Sequence, residues 1–147
     1  MRDAFIMQGS PLSPPTIETT LRVRYAETDA MGVVHHASYI VWLEQGRTEL
    51  LRALGSSYRA IEESGLYVVL SELQARYHAA ARYDDVVVVR TTLAEVRSRG
   101  LSFQYELRLA TENTLVLTAR TEHIAVAKAT GRPTRLPPEL LTALARA

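Results

Sequence analysis

Residues 38 to 54 read SYIVWLEQGRTELLRAL. Tyr39, Trp42, Leu43, Gly46, Leu50, Ala53 and Leu54 recur at three- and four-residue intervals on one face, while Glu44, Gln45, Thr48, Glu49 and Arg52 fall on the other. The spacing predicts a long amphipathic helix stopped by Gly55. A glycine inside a helix costs about 1 kcal/mol relative to alanine. Gly46 therefore predicts that another backbone passes close to the apolar face, as it would if a sheet wrapped tightly around the helix.

The flanking patterns supply that sheet. From Thr16 to Ala26, Ile17, Thr19, Val23 and Tyr25 alternate with Glu18, Arg22 and Arg24, the two-residue period of a strand. Beyond the helix, Ser56-Ser57 is suited to cap a second short helix ending near Ser64-Gly65, with Glu62 and Glu63 on its wet side. Four β-rich segments follow: Tyr67 to Ala79, Val86 to Arg97, Leu101 to Thr111 and Leu115 to Lys128. Short polar turns separate them, and a last helix is expected from Pro137-Pro138, where missing N–H groups cost nothing. One strand, a long helix and four more strands make an α+β architecture, the helix lying on one face of an antiparallel sheet of about five strands. Residues 1–15, MRDAFIMQGSPLSPP, are expected to form a loose extension and 16–147 a single domain.

Composition removes several function classes. Seventeen basic and 16 acidic residues leave a net charge of +1, without the concentrated positive field that nucleic acid requires. The absence of cysteine excludes disulfides, thiolate nucleophiles and thiolate metal ligands, so catalysis must use oxygen or nitrogen groups. No apolar run approaches the roughly 20 residues that span a bilayer, and no apolar core follows a basic cluster at the N-terminus, so a cytoplasmic location is expected. Four scattered histidines without an HExxH pattern point to no metal, and neither a G-x-S-x-G elbow nor a glycine-rich phosphate loop is present.

The chemistry concentrates just before the long helix, where Tyr25 to Tyr39 read YAETDAMGVVHHASY. Asp29 follows the strand, Gly32 permits a tight turn, and His35 and His36 precede a helix whose first N–H groups lack partners. A carboxylate facing a helix N-terminus is equipped to hydrolyse an acyl compound. The plainer alternative is that Thr28-Asp29 only nucleates a turn and the histidines cover a helix end.

The segment from Arg24 to Tyr39 resembles the signature of the hotdog-fold acyl-CoA thioesterases of the 4-hydroxybenzoyl-CoA thioesterase group, including its short-chain acyl-CoA branch. Gly65-Leu66-Tyr67-Val68-Val69, Ala81-Arg82-Tyr83-Asp84-Asp85 and Gly131-Arg132-Pro133 recur at similar spacing, and the likeness spans roughly Thr20 to Pro137. It implies a helix wrapped by a curved antiparallel sheet, subunits joined at a sheet edge as a homodimer or homotetramer, and active sites at the subunit interface.

The resemblance carries Asp29 over as the catalytic carboxylate, acting as nucleophile or as general base to water. Helix N–H groups at His36 and Ala37 are the expected oxyanion donors. His36 matches the histidine that accompanies this aspartate in the short-chain branch, where it orients water or contacts substrate; His35 is expected only to pack. Tyr25, Gly32, Val33, Ser38 and Tyr39 are expected around the substrate pocket. Ser38 departs from the asparagine common at its position, and either oxygen is able to cap the helix. Glu44 is a competing carboxylate, since other hotdog enzymes use one on the central helix, but its spacing favours an ion pair with Arg47. The expected activity is hydrolysis of acyl-CoA to acid and coenzyme A without a further cofactor; the alternatives are an acyl-carrier-protein thioesterase, a non-catalytic acyl-binding or scaffold protein, and, more weakly, a hotdog dehydratase. No phosphate-binding residue stands out among 17 basic side chains.

Overall fold

The computed structural model describes Ala4–Phe5 and residues 14–145. In chain order the elements are β1 (Ala4–Phe5), β2 (Thr16–Arg22), α1 (Ser38–Ala53), α2 (Tyr58–Glu63), β3 (Leu66–Tyr77), β4 (Val86–Arg97), β5 (Gly100–Leu109), β6 (Leu115–Ala127) and α3 (Pro138–Ala145). One antiparallel sheet runs β2-β4-β5-β6-β3, and the two-residue β1 pairs with Arg97 and Val96 at the far end of β4. Apart from this pairing, the expected loose extension lies outside the described residues up to Leu12 and Ser13. Register shifts at Leu70/Glu72, Leu93/Glu95 and Leu107/Arg108 interrupt the ladders, and such irregularities bend and twist strands. The result is the α+β hotdog arrangement, a long helix held in a curved sheet.

The strand expected to run to Ala26 ends at Arg22. Val23 still pairs with the β3–β4 connection, donating to the Asp85 carbonyl at 2.9 Å. The chain then turns because the Glu27 carboxylate accepts the Arg24 N–H at 2.8 Å, closing a 3-10 turn over Tyr25–Glu27. A side-chain acceptor three residues ahead outcompetes the strand ladder there. The expected short second helix is present and Ser57 caps it, its Oγ accepting the Ala60 N–H at 3.0 Å.

Trp42, Leu43, Leu50 and Leu51 of α1 share a buried cluster with Val87 and Val89 of β4, Phe103 and Leu107 of β5 and Leu117 of β6. Leu51 completes this face, whereas Ala53, expected on it, is exposed. The larger side chain gains more from leaving water. Gly46 does mark a close approach, made by side chains of β4 rather than by backbone. A Cβ there would lie 3.0 Å from Val89 Cγ1 and would overlap Thr91 Oγ1. Among the described residues no helix is long and apolar enough to cross a membrane.

The close approach outweighs helix propensity at this position. Gly46→Ala is expected to lower the unfolding free energy by about 1–3 kcal/mol, read as a lower denaturant midpoint at unchanged slope; a gain in stability would show that α1 does not sit this close to β4.

Candidate active site

Asp29 is held within a turn by its own backbone. Its N–H donates to the Val33 carbonyl at 2.8 Å, and its carbonyl accepts the Gly32 N–H at 3.0 Å. One carboxylate oxygen, Oδ1, accepts the Met31 N–H at 2.8 Å. Gly32 adopts φ 80°, the left-handed region that a side chain disfavours. Isolated bridges Thr28–Val34 and Val33–Arg82 tie the turn to the loop before β4. The half-buried Asp29 is thus presented by a braced hairpin-like loop.

The start of α1 faces the same loop, and its main-chain donors are not equivalent. The Ala37 N–H, expected with His36 to form the oxyanion hole, donates to His35 Nδ1 at 3.1 Å. Among the described residues the His36 N–H makes no such bond. His35 therefore does more than pack: it covers the helix start, and accepting at Nδ1 leaves the proton of the neutral ring on Nε2. The His35 and His36 rings lie 4.1 Å apart, and both residues are exposed. Ser38 caps nothing. It is the first helical residue, Ala37 occupies the cap position, and the Ser38 hydroxyl donates to the Glu27 carbonyl at 3.2 Å.

Tyr39 is buried, and its Oη accepts the Ala81 N–H at 3.1 Å. Burial raises its phenol pKa, partly offset by that hydrogen bond, so Tyr39 stays neutral and anchors the loop before β4. Tyr25 is 73% exposed and stacks on Tyr83 at 3.7 Å. Two contributors went unrecognised in the sequence. Tyr77, at the end of β3, donates its hydroxyl to the His36 carbonyl at 2.8 Å. Glu27 is buried and accepts Trp42 Nε1 with one carboxylate oxygen and the Arg24 N–H with the other. The only local signal was the three-residue spacing of Arg24 and Glu27; the contacts to Trp42 and Tyr77 depend on tertiary structure.

A long helix wrapped by a curved antiparallel sheet, with a carboxylate on a glycine turn in the loop ahead of the helix start, is the arrangement of a thioesterase-like protein. The model of the thioesterase-like superfamily matches residues 23–144, and the chain belongs to that family. It is 41% identical over 106 residues to the acyl-CoA thioesterase YbgC of Haemophilus influenzae, covering 71% of this chain and 76% of that protein. To the acyl-CoA thioester hydrolase YbgC of Escherichia coli it is 35% identical over 121 residues, 82% of this chain and 90% of the other. The solved DHNA-CoA thioesterase of Staphylococcus aureus superposes with a TM-score of 0.83 at 30% identity, covering 87% of both chains.

Glu44 is exposed and makes no ion pair among the described residues. Its expected partner Arg47 turns inward instead: among the described residues its buried Nη1 has no hydrogen-bond partner, and neither have Tyr58 Oη and Thr91 Oγ1. Beneath the sheet's concave face Tyr105 Oη and His123 Nε2 both bond Thr121 Oγ1, at 2.7 and 2.9 Å. Burial, reinforced by the Arg47 charge, pushes His123 down to about 4, while Glu122 opposes the shift. His78, by contrast, is exposed and bonds Thr118 Oγ1 at 2.9 Å.

The sign of the resulting pH dependence follows from linkage. Above its ordinary pKa of about 6.5, His123 is neutral in both folded and unfolded chains and costs nothing. Between about 6.5 and about 4 only the unfolded chain takes up the proton, so stability falls as pH falls and the loss levels off below the folded value. The loss is at most about 3 kcal/mol. Denaturant midpoints measured from pH 7 to pH 4 are expected to fall more steeply for wild type than for His123→Gln; parallel slopes would show that His123 does not titrate this way.

Proposed function

We infer that this chain is an acyl-CoA thioester hydrolase in which Asp29 acts on the thioester carbonyl and the His36 N–H receives the oxyanion. The observation that carries this reading is a braced Asp29 carboxylate in the loop that leads into α1, together with a His36 N–H just before that helix that makes no hydrogen bond among the described residues. Carbonyl oxygen gains negative charge as oxygen adds at carbon, and a main-chain N–H at the positive end of a helix dipole stabilises that charge without reorganising. Asp29 serves either as the nucleophile, giving a mixed anhydride that water then opens, or as the base that takes a proton from the attacking water. In both routes the C–S bond breaks and coenzyme A leaves as a thiolate, whose conjugate acid has a pKa of about 8.5, so no general acid is required. The exposed His36 ring is placed to orient water or touch substrate, and Tyr25, Gly32, Val33 and Tyr39 contribute wall or turn. The reaction calls for no cofactor beyond the coenzyme A of the substrate.

The same reading makes the protein a cytoplasmic homo-oligomer. Its support is the terminal strand β3, which pairs with β6 on one side and carries the exposed Tyr67, Val69, Leu70 and Tyr77. An apolar sheet edge of this kind favours pairing with a second copy. Tyr77 links that edge to the His36 carbonyl and so to the site.

Short, long and aromatic acyl-CoAs, with an acyl-carrier-protein thioester as a further arm, test the assignment by thiol release. Wild type is expected to turn over at least one acyl-CoA, and Asp29→Asn to lose about 10²- to 10⁴-fold in kcat while remaining folded. Turnover of the carrier-protein substrate alone would reassign the substrate class, binding without turnover would make this an acyl-binding protein, and full activity in Asp29→Asn would move the catalytic carboxylate to Glu44. Light scattering is expected to report at least a dimer, which Val69→Lys weakens.

A further inference from the structure

Asp29 and His36 belong to different local structures, a loop and a helix start, and something must hold the two in register. Glu27 stands between them. It is only 7% exposed, and every polar atom of its side chain and main chain is engaged. Oε1 accepts the Arg24 N–H at 2.8 Å and Arg24 Nε at 3.2 Å, while Oε2 accepts Trp42 Nε1. Its own N–H donates to the Arg24 carbonyl at 3.0 Å, and its carbonyl accepts both the His35 N–H at 2.8 Å and the Ser38 hydroxyl at 3.2 Å. One residue is therefore bonded to the 3-10 turn before Asp29, to the two residues that flank His36 and Ala37, and to the second turn of α1.

We propose that Glu27 is a positioning residue, whose buried carboxylate, locked onto Trp42 and Arg24, sets the distance between the Asp29 carboxylate and the His36 N–H. The proposal rests on Asp29 being the acting carboxylate. Charge, not merely shape, is required, because three donors converge on the two oxygens and an amide would turn its own NH₂ against one of them. Burial raises the Glu27 pKa, but the bonds from Trp42 and Arg24 outweigh it and hold the group below the usual carboxylate range. The Trp42 bond is the critical one: the Arg24 side chain is 74% exposed, where an ion pair contributes little, whereas Trp42 is 2% exposed and its indole N–H has no water to fall back on. Glu27 itself need not touch substrate.

Trp42 is the chain's one tryptophan, so its emission reports this contact directly. The test compares full-length wild type with Glu27→Gln by steady-state hydrolysis of the best acyl-CoA, by Trp42 emission and by amide hydrogen exchange over residues 28–38. A displacement near 1 Å at a reacting group costs about 10²-fold, so kcat is expected to fall about 10- to 100-fold. KM should stay within about threefold, since the interaction lost is one expressed in the transition state. Exchange should quicken in 28–38 and not in β5 or β6, and the emission should shift.

A folded Glu27→Gln with wild-type kcat and wild-type exchange in 28–38 overturns the proposal, as does a kcat loss accompanied by loosening of the whole sheet. Should that variant not fold, Trp42→Phe keeps an aromatic ring and the Arg24 bonds while deleting the donor, and the same kinetic and exchange criteria decide. If wild type hydrolyses no acyl-CoA, the hydrolase reading fails, while the exchange and emission of Glu27→Gln still decide whether Glu27 holds the two segments together.

Discussion

The architecture depends on how near α1 comes to β4. At Gly46 there is room for a hydrogen and no more, because Thr91 and Val89 already occupy the space a methyl group would need. That approach draws the helix into the curve of the sheet, buries Trp42, Leu43, Leu50 and Leu51, and delivers the N-terminus of α1 to the sheet end where the loop before β4 runs. A larger residue would lift the helix, and every contact made near its first turn would shift with it. The cost of a glycine in mid-helix is offset by packing over the rest of that face.

The site is built mainly from backbone. Asp29 is oriented by amides of its own turn, and the His36 N–H, without a hydrogen bond among the described residues, precedes an Ala37 N–H that is occupied by a histidine ring. Such groups are held by many main-chain bonds at once and need little reorganisation as charge develops on an oxyanion. The two adjacent histidines consequently have different tasks. His35 satisfies the Ala37 N–H at the start of the helix, while the His36 side chain stays exposed and its N–H makes no hydrogen bond among the described residues. A thioester suits this economy, because its leaving thiolate departs without an acid.

The core itself is not uniformly apolar. Arg47, Tyr58, Thr91, Tyr105, Thr121 and His123 place polar atoms in the core, three of them with a buried atom that has no partner among the described residues. Unpaired buried polar groups reduce stability. The outer face handles charge differently, with Arg97, Arg120, Glu95 and Glu122 joined in a ring of ion pairs across β4 and β6, partly open to water. Solvent there keeps both the gain and the penalty small.

The elements and the turn that carries Asp29 were legible in the sequence because each is encoded over a few residues: a two-residue period for strands, a helical face from Tyr39 to Leu54, serine at a cap, glycine at a turn of positive φ. Gly46 even announced a close approach, although not that side chains would make it. Assignments failed where side-chain bonds, local or distant, override the periodic pattern. The strand stopped at Arg22 once Glu27 captured the Arg24 amide, Arg47 left Glu44 for the core, and the Ser38 hydroxyl went to the Glu27 carbonyl rather than to the helix end. The sequence by itself determined the α+β order, the Asp29-to-His36 spacing and the helix that follows. Only tertiary structure decided what braces the start of the long helix, because Tyr77 reaches the His36 carbonyl and Ala81 reaches Tyr39 through a sheet register that local periodicity does not encode.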